Sequence, residues 1–136
     1  MPDRRPARGI LDTSVVIDLE QIEPSRLPLE VAVSAVTMAE LAAGPHATSD
    51  PEERARRQDR LQRAEAAFDP LPFDAEAARA YGRIYASVVA AGRKARGARA
   101  IDLLIAATAC STGLPLYTRN PDDFRAIGDL VEIVAL

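Results

Sequence analysis

Residues Gly9–Asp18 read GILDTSVVID, a short apolar run that breaks on an acid and resumes as a second apolar run. Gly9-Ile10-Leu11 has the composition of a buried strand, and Thr13 or Ser14 can open a helix through Val15, Val16, Ile17 and Leu19. That places Asp12 at the carboxyl end of a strand, where open α/β sheets form their ligand crevice. Asp is also a good helix cap. With Thr13 and Ser14 both available for capping, Asp12 is open to either role.

Outward from this stretch the chain alternates strand and helix signals. Pro24 and Pro28 bracket a connection, Val31-Ala32-Val33 reads as a second strand, and Thr37 opens a helix through Met38, Leu41 and Ala42 that Gly44-Pro45 stops. Asp50-Pro51-Glu52-Glu53 supplies a cap, a first-turn proline and an acidic first turn for a helix to about Phe68. Its arginines, Arg54, Arg56, Arg57, Arg60 and Arg63, have acidic neighbours at helical spacing and read as a solvated face. Leu71–Phe73 is a short strand, and Asp74 caps a helix on which Tyr81, Ile84, Tyr85 and Val88 form a packing stripe. Gly92–Gly97 (GRKARG) is a basic link to a further helix over 99–112, followed by a strand at Leu116–Thr118, a turn of helix from Asn120, and a last strand at Val131–Val134. Strands alternating with helices imply right-handed crossovers and a mostly parallel sheet, the α/β class.

At 136 residues the chain has the size of one domain, here residues 9–136, with residues 1–8 (MPDRRPAR) as a frayed tail. The net charge of −3 excludes a polycation that coats nucleic acid, so such contacts must come from local basic patches. An aromatic content of 4% with no Trp argues against recognition by stacking on many rings. No segment is apolar for long enough to span a bilayer, and the N-terminus lacks the apolar region of a signal peptide. The single Cys110 can form no internal disulfide and reads as a small buried hydrophobe in a reducing, cytoplasmic setting. His46 has no second histidine with which to share a metal.

Four acids recur at analogous places: Asp12 after the first strand, Glu40 and Asp102 in the first turns of two helices, and Asp123 after a late strand. In a parallel sheet all four can converge on one edge. Carboxylates without neighbouring His or Cys suit hard ions such as Mg2+ or Mn2+, and without an ion the cluster would raise its own pKa values. Each acid also has a local explanation. Thr37-x-x-Glu40 has the pattern of a capping box, Asp102 can answer a helix dipole, and Asn120 with Asp123 can cap a short helix. Asp102 is the most informative, because it interrupts an apolar helix beside small residues, where an unpaired carboxylate would cost several kcal/mol, as an order of magnitude.

The blocks LDTSVVIDL, VTMAEL, AIDLLIAATA and TRNPDDF, in this order from Leu11 to Phe124, resemble the signature blocks of the PIN-domain ribonucleases, in particular the VapC toxins of bacterial toxin–antitoxin pairs. The resemblance implies a three-layer α/β/α sandwich with a small, mostly parallel sheet, and an endoribonuclease dependent on Mg2+ or Mn2+. It maps Asp12, Glu40, Asp102 and Asp123 onto the acidic metal site and Thr13, Ser14 and Asn120 onto supporting polar positions. Asp122 makes the fourth block ambiguous; Asp123, which precedes Phe124, fits the family pattern. The resemblance further implies a homodimer and a cognate antitoxin whose C-terminal segment carries an arginine into the site.

The same resemblance implies RNA as the substrate, hydrolysed to a 5′-phosphate and a 3′-hydroxyl with no covalent intermediate. Ser14 has no His or Lys partner nearby in sequence and is expected to hydrogen-bond a metal-bound water. The basic link, Arg93, Lys94, Arg96 and Arg99, either holds RNA phosphates or is an ordinary solvated loop. Two rival readings exist. An Asp-based phosphatase of the haloacid-dehalogenase type needs a second Asp where Ser14 stands, and a phospho-receiver domain needs an acidic pair and a late lysine that are not visible. The other rival is a PIN fold that has lost its metal and only binds.

Overall fold

The computed structural model describes residues 5–136. Four strands, β1 (Arg8–Leu11), β2 (Glu30–Val33), β3 (Leu116–Thr118) and β4 (Ile133–Ala135), form a parallel sheet in the order β2-β1-β3-β4. The chain leaves β1 for β2 on one side and later returns to β3 on the other, so the order reverses at β1. A ligand crevice at the carboxyl ends follows from that reversal. Register brings the two sides of the crevice together: Leu11 pairs with Tyr117, and the Asp12 N–H donates to the Tyr117 carbonyl at 3.0 Å.

Successive residues of a strand face opposite sides of the sheet, and both sides are covered. Ile10, Ala32 and Leu116 pack against α4 (Ala75–Ala90) and α5 (Ala98–Thr112), through Ala80, Ile84, Val88, Leu103 and Ile105. Leu11, Val33 and Tyr117 pack on the opposite face against α1 (Thr13–Ile17), α2 (Ala35–Ala43) and α3 (Pro51–Ala67). This is the expected α/β/α sandwich. Leu103, Ile105, Ala106, Ala107 and Ala109 of α5 are all fully buried, and each buried Leu or Ile contributes roughly 1.5–3 kcal/mol. Gly9 is required beneath Tyr117, since a Cβ there would lie 2.5 Å from the tyrosine Cε1.

Several local expectations are revised. Helix α1 stops at Ile17 and gives way to a 3-10 turn at Leu19–Gln21, as suits a Val-Val-Ile run of stiff β-branched residues. Leu71–Phe73 makes only one bridge, Ser34 to Leu71, because Pro70 and Pro72 have no N–H to extend a ladder. The last strand starts at Ile133 instead of Val131, since the N–H groups of Leu130 and Val131 are held by the Ile127 carbonyl. Residues 6–8 are not a frayed tail: the carbonyls of Pro6 and Ala7 accept from Leu29 and Glu30, and Arg8 opens β1. The rest of the expected tail, residues 1–4, lies outside the described residues. Tyr85 is exposed instead of completing the stripe on α4, and Cys110 is only partly buried. On α3, Arg57 donates to the Gly44 carbonyl, and Arg54 to those of Pro45 and Thr48, so part of the supposed solvated face closes the C-terminal end of α2. Among the described residues no helix is long and apolar enough to cross a membrane.

Candidate active site

Asp12 is itself the cap of α1. Its Oδ1 accepts the Val15 N–H at 3.1 Å and the Ser14 hydroxyl at 2.5 Å, and the residue is 4% exposed. The other carboxylate oxygen accepts no hydrogen bond among the described residues, so the carboxylate that caps α1 keeps one oxygen uncommitted. Thr13 and Ser14 are thereby released from capping. The Ser14 hydroxyl points its proton at Asp12. It also accepts the backbone N–H of Arg119 at 3.1 Å, locking the segment after β3 to the segment after β1.

Glu40 belongs to no capping box. Helix α2 is capped by Ser34, whose Oγ accepts the Thr37 N–H at 3.1 Å, and this places Glu40 in the second turn. Its Oε1 instead accepts the Thr13 hydroxyl at 2.5 Å, across 27 residues of chain. Ser34 and Thr37 are fully buried polar residues that the sequence reading did not assign to the site. The signal for them was present in Ser34-x-x-Thr37 immediately after a strand, a cap pattern one turn earlier than the one chosen.

Asp102 is the fifth residue of α5, beyond the first turn, so the helix dipole does not account for it. It is partly buried, and its pKa is raised to about 6, first by burial and then by the charges of Asp123, Glu40 and Asp12, with Arg99 opposing. Asp102 therefore lies within electrostatic reach of all three other acids. Asp123, not Asp122, is the acid nearest in effect. Asp122 is exposed and ion-paired with Arg125, whereas Asp123 is partly buried and its N–H is held by the Asn120 carbonyl at 3.1 Å. Asn120 supports this turn through its backbone, which donates to Thr118 Oγ1 at 3.0 Å; its side chain caps nothing.

The basic link divides. The Arg93 Nη1 donates to the Asp122 carbonyl at 3.0 Å, and Arg99 is partly buried, opposing the acids at Asp102. Lys94 and Arg96 are exposed. A separate cleft of about 420 Å3 between the end of α1 and α3, bordered by Ile17, Leu19 and Arg60, contains none of the four acids.

The donor set is made of carboxylate oxygens, which suits a hard divalent ion and not zinc. Among the described residues no three acidic, histidine or cysteine side chains are gathered tightly enough to grip one ion. The four acids nonetheless offer only oxygen donors, the type such an ion prefers. The residues therefore fit such an ion in chemistry.

Comparison with known proteins agrees with this architecture. The chain is 40% identical over 125 residues to Ribonuclease VapC5 of Mycobacterium tuberculosis (strain ATCC 25618 / H37Rv), covering 90% of this chain and 89% of the relative. It is 30% identical over 126 residues to Ribonuclease VapC of Rickettsia bellii (strain RML369-C), covering 89% and 91%. Its fold matches, with a TM-score of 0.82 and 39% identity over 96% of this chain and 100% of the other, the crystal structure of a member of the VapBC family of toxin-antitoxin systems, VapBC-5, from Mycobacterium tuberculosis. The PIN domain family itself matches residues 9–130, a span that contains all four converging acids, and the chain belongs to the PIN domain family.

Proposed function

We propose that this protein is an endoribonuclease that uses Mg2+ or Mn2+ to hydrolyse RNA phosphodiester bonds, and that it is the toxin of a toxin–antitoxin pair. The observation that carries the reading is the burial-assisted convergence of Asp12, Glu40 and Asp123 on Asp102, in a chain whose relatives are named ribonucleases. The free oxygen of Asp12, with Asp102, Glu40 and Asp123, would hold the ion. Bound there, it would lower the pKa of an attacking water and neutralise charge on the phosphate. Ser14 keeps Asp12 oriented, Thr13 keeps Glu40 oriented, and the Arg119 backbone ties the two sides of the crevice together. Lys94 and Arg96, exposed on the link before α5, would take RNA phosphates.

An antitoxin arginine would suit the same pocket, since a guanidinium can bridge two carboxylates with paired hydrogen bonds. The test is cleavage of a single-stranded RNA by the purified protein with Mg2+, with Mn2+ and with chelator, beside Asp12→Asn. Metal-dependent cleavage lost in the variant is expected. Equal cleavage by Asp12→Asn, or cleavage indifferent to chelator, would overturn the proposal.

A further inference from the structure

Behind Glu40 runs a line of hydroxyls that leads away from the crevice into the core. Thr13 Oγ1 lies 2.5 Å from Glu40 Oε1 and 3.2 Å from Thr37 Oγ1, and Thr37 Oγ1 lies 3.3 Å from Ser34 Oγ. Ser34 and Thr37 are fully buried. Counting protons orders the line. A carboxylate only accepts, and each hydroxyl has one proton to give. The Thr13 proton is taken by the Glu40 carboxylate, so Thr13 accepts from Thr37. The Thr37 proton being spent there, Thr37 must accept from Ser34. All three protons then point toward the carboxylate, and each bond polarises the next. The Ser34 oxygen is held in turn by the Thr37 backbone N–H at 3.1 Å, so the line is anchored in the cap of α2.

We infer that Thr37 is a positioning residue for Glu40, acting through Thr13: its buried hydroxyl fixes the direction of the Thr13 proton and with it the rotamer of the carboxylate. The inference rests on the proposed role of Glu40 in holding the ion. Thr37 touches neither ion nor substrate. It is suited to the task because it is fully buried, and with Ser34 donating to it, Thr13 is the partner left for its proton.

The experiment compares wild type, Thr37→Val and Thr37→Ser. Valine keeps the shape, removes the donor to Thr13 and strips Ser34 of its acceptor; serine keeps the hydroxyl. Loss of such an outer partner typically lowers metal affinity or activity 10–100-fold. Thr37→Val is therefore expected to bind Mn2+ roughly 10–100-fold more weakly by calorimetry and to lose kcat on a single-stranded RNA at unchanged KM. Thr37→Ser should restore both. If Thr37 only packs, both variants will shift the melting temperature while Mn2+ affinity and kcat per folded molecule stay at wild-type values, and the inference is overturned. A second readout stands apart from the nuclease reading. In metal-free protein, a double-mutant cycle on thermal stability between Thr37→Val and Glu40→Gln should be non-additive, although these two side chains meet only through Thr13. Additivity overturns the inference even if wild type cleaves RNA. Coupling in a wild type that neither binds Mn2+ nor cleaves RNA would instead overturn the nuclease proposal and the positioning of a metal ligand, leaving only the hydroxyl line.

Discussion

Replacing Asp102 by Asn should stabilise the metal-free protein near neutral pH and change how its stability depends on pH. In the folded state the carboxyl holds its proton up to about 6, against an ordinary value of 3.8. The folded protein thus binds more protons than the unfolded chain between those limits, and stability falls as pH rises through them. Below about 4 the side chain is neutral in both states and costs nothing. Above about 6 it is ionised in both, and the full penalty applies. At about 1.4 kcal/mol per pH unit the difference amounts to about 3 kcal/mol. Asp102 is only partly buried, so solvent screening reduces this to about 1–2 kcal/mol. For a chain of 136 residues that corresponds to roughly 3–7 °C in Tm. The assay is thermal unfolding of wild type and Asp102→Asn in chelator from pH 4 to 8, with the difference between the two read at each pH. The difference should be small near pH 4, grow in favour of Asn through pH 6, and level off. Added Mg2+ should then stabilise wild type and leave Asn nearly unmoved. A difference that stays constant across the range would refute the idea that burial and converging like charges act on this group.

The remaining expectations follow from single contacts. Glu40→Gln should leave stability within about 0.5 kcal/mol of wild type, because the Gln carbonyl can still accept the Thr13 hydroxyl, while RNA cleavage falls; unchanged cleavage would remove Glu40 from the site. Gly9→Ala should destabilise by about 1–3 kcal/mol through overpacking against Tyr117, seen as a lower urea midpoint without loss of specific activity in the folded fraction. Lys94→Ala with Arg96→Ala should raise KM and flatten its dependence on salt with kcat unchanged, and an unaltered salt dependence would remove these residues from the RNA path. Mg2+ or Mn2+ should raise the melting temperature at millimolar concentration, whereas a stronger response to Zn2+ would contradict an all-oxygen donor set.

Much of this was legible because periodicity and cap residues are local signals. The long helices α3, α4 and α5 and the central strands fell where Asp50, Asp74 and the apolar runs put them. Boundaries slipped where the deciding contact was distant. Arg8 joins β1 because a neighbouring strand supplies the partner for the residues before it, and Leu71 fails to extend a strand because of the prolines beside it. The four acids could be named from their positions, yet the choice between Asp122 and Asp123 needed the ion pair of one and the burial of the other. The capping box offered for Glu40 and the helix dipole offered for Asp102 were plausible in sequence and absent in space, since both helices start earlier than the sequence placed them.

The deeper reason lies in three consecutive residues. Asp12 caps α1, Thr13 grips Glu40 on α2, and Ser14 ties Asp12 to the backbone after β3. In an extended stretch, neighbouring side chains would diverge to opposite faces of the sheet. In the first turn of a helix they fan out instead, by about 100° per residue, so three adjacent polar groups can each meet a different element around the end of β1. A longer helix would add nothing to this arrangement, and five residues suffice. The shortness of α1 and the density of polar residues at its start are therefore one feature: the turn that ends the central strand is also the joint that holds the acids of α2 and of the segment after β3 in a common crevice.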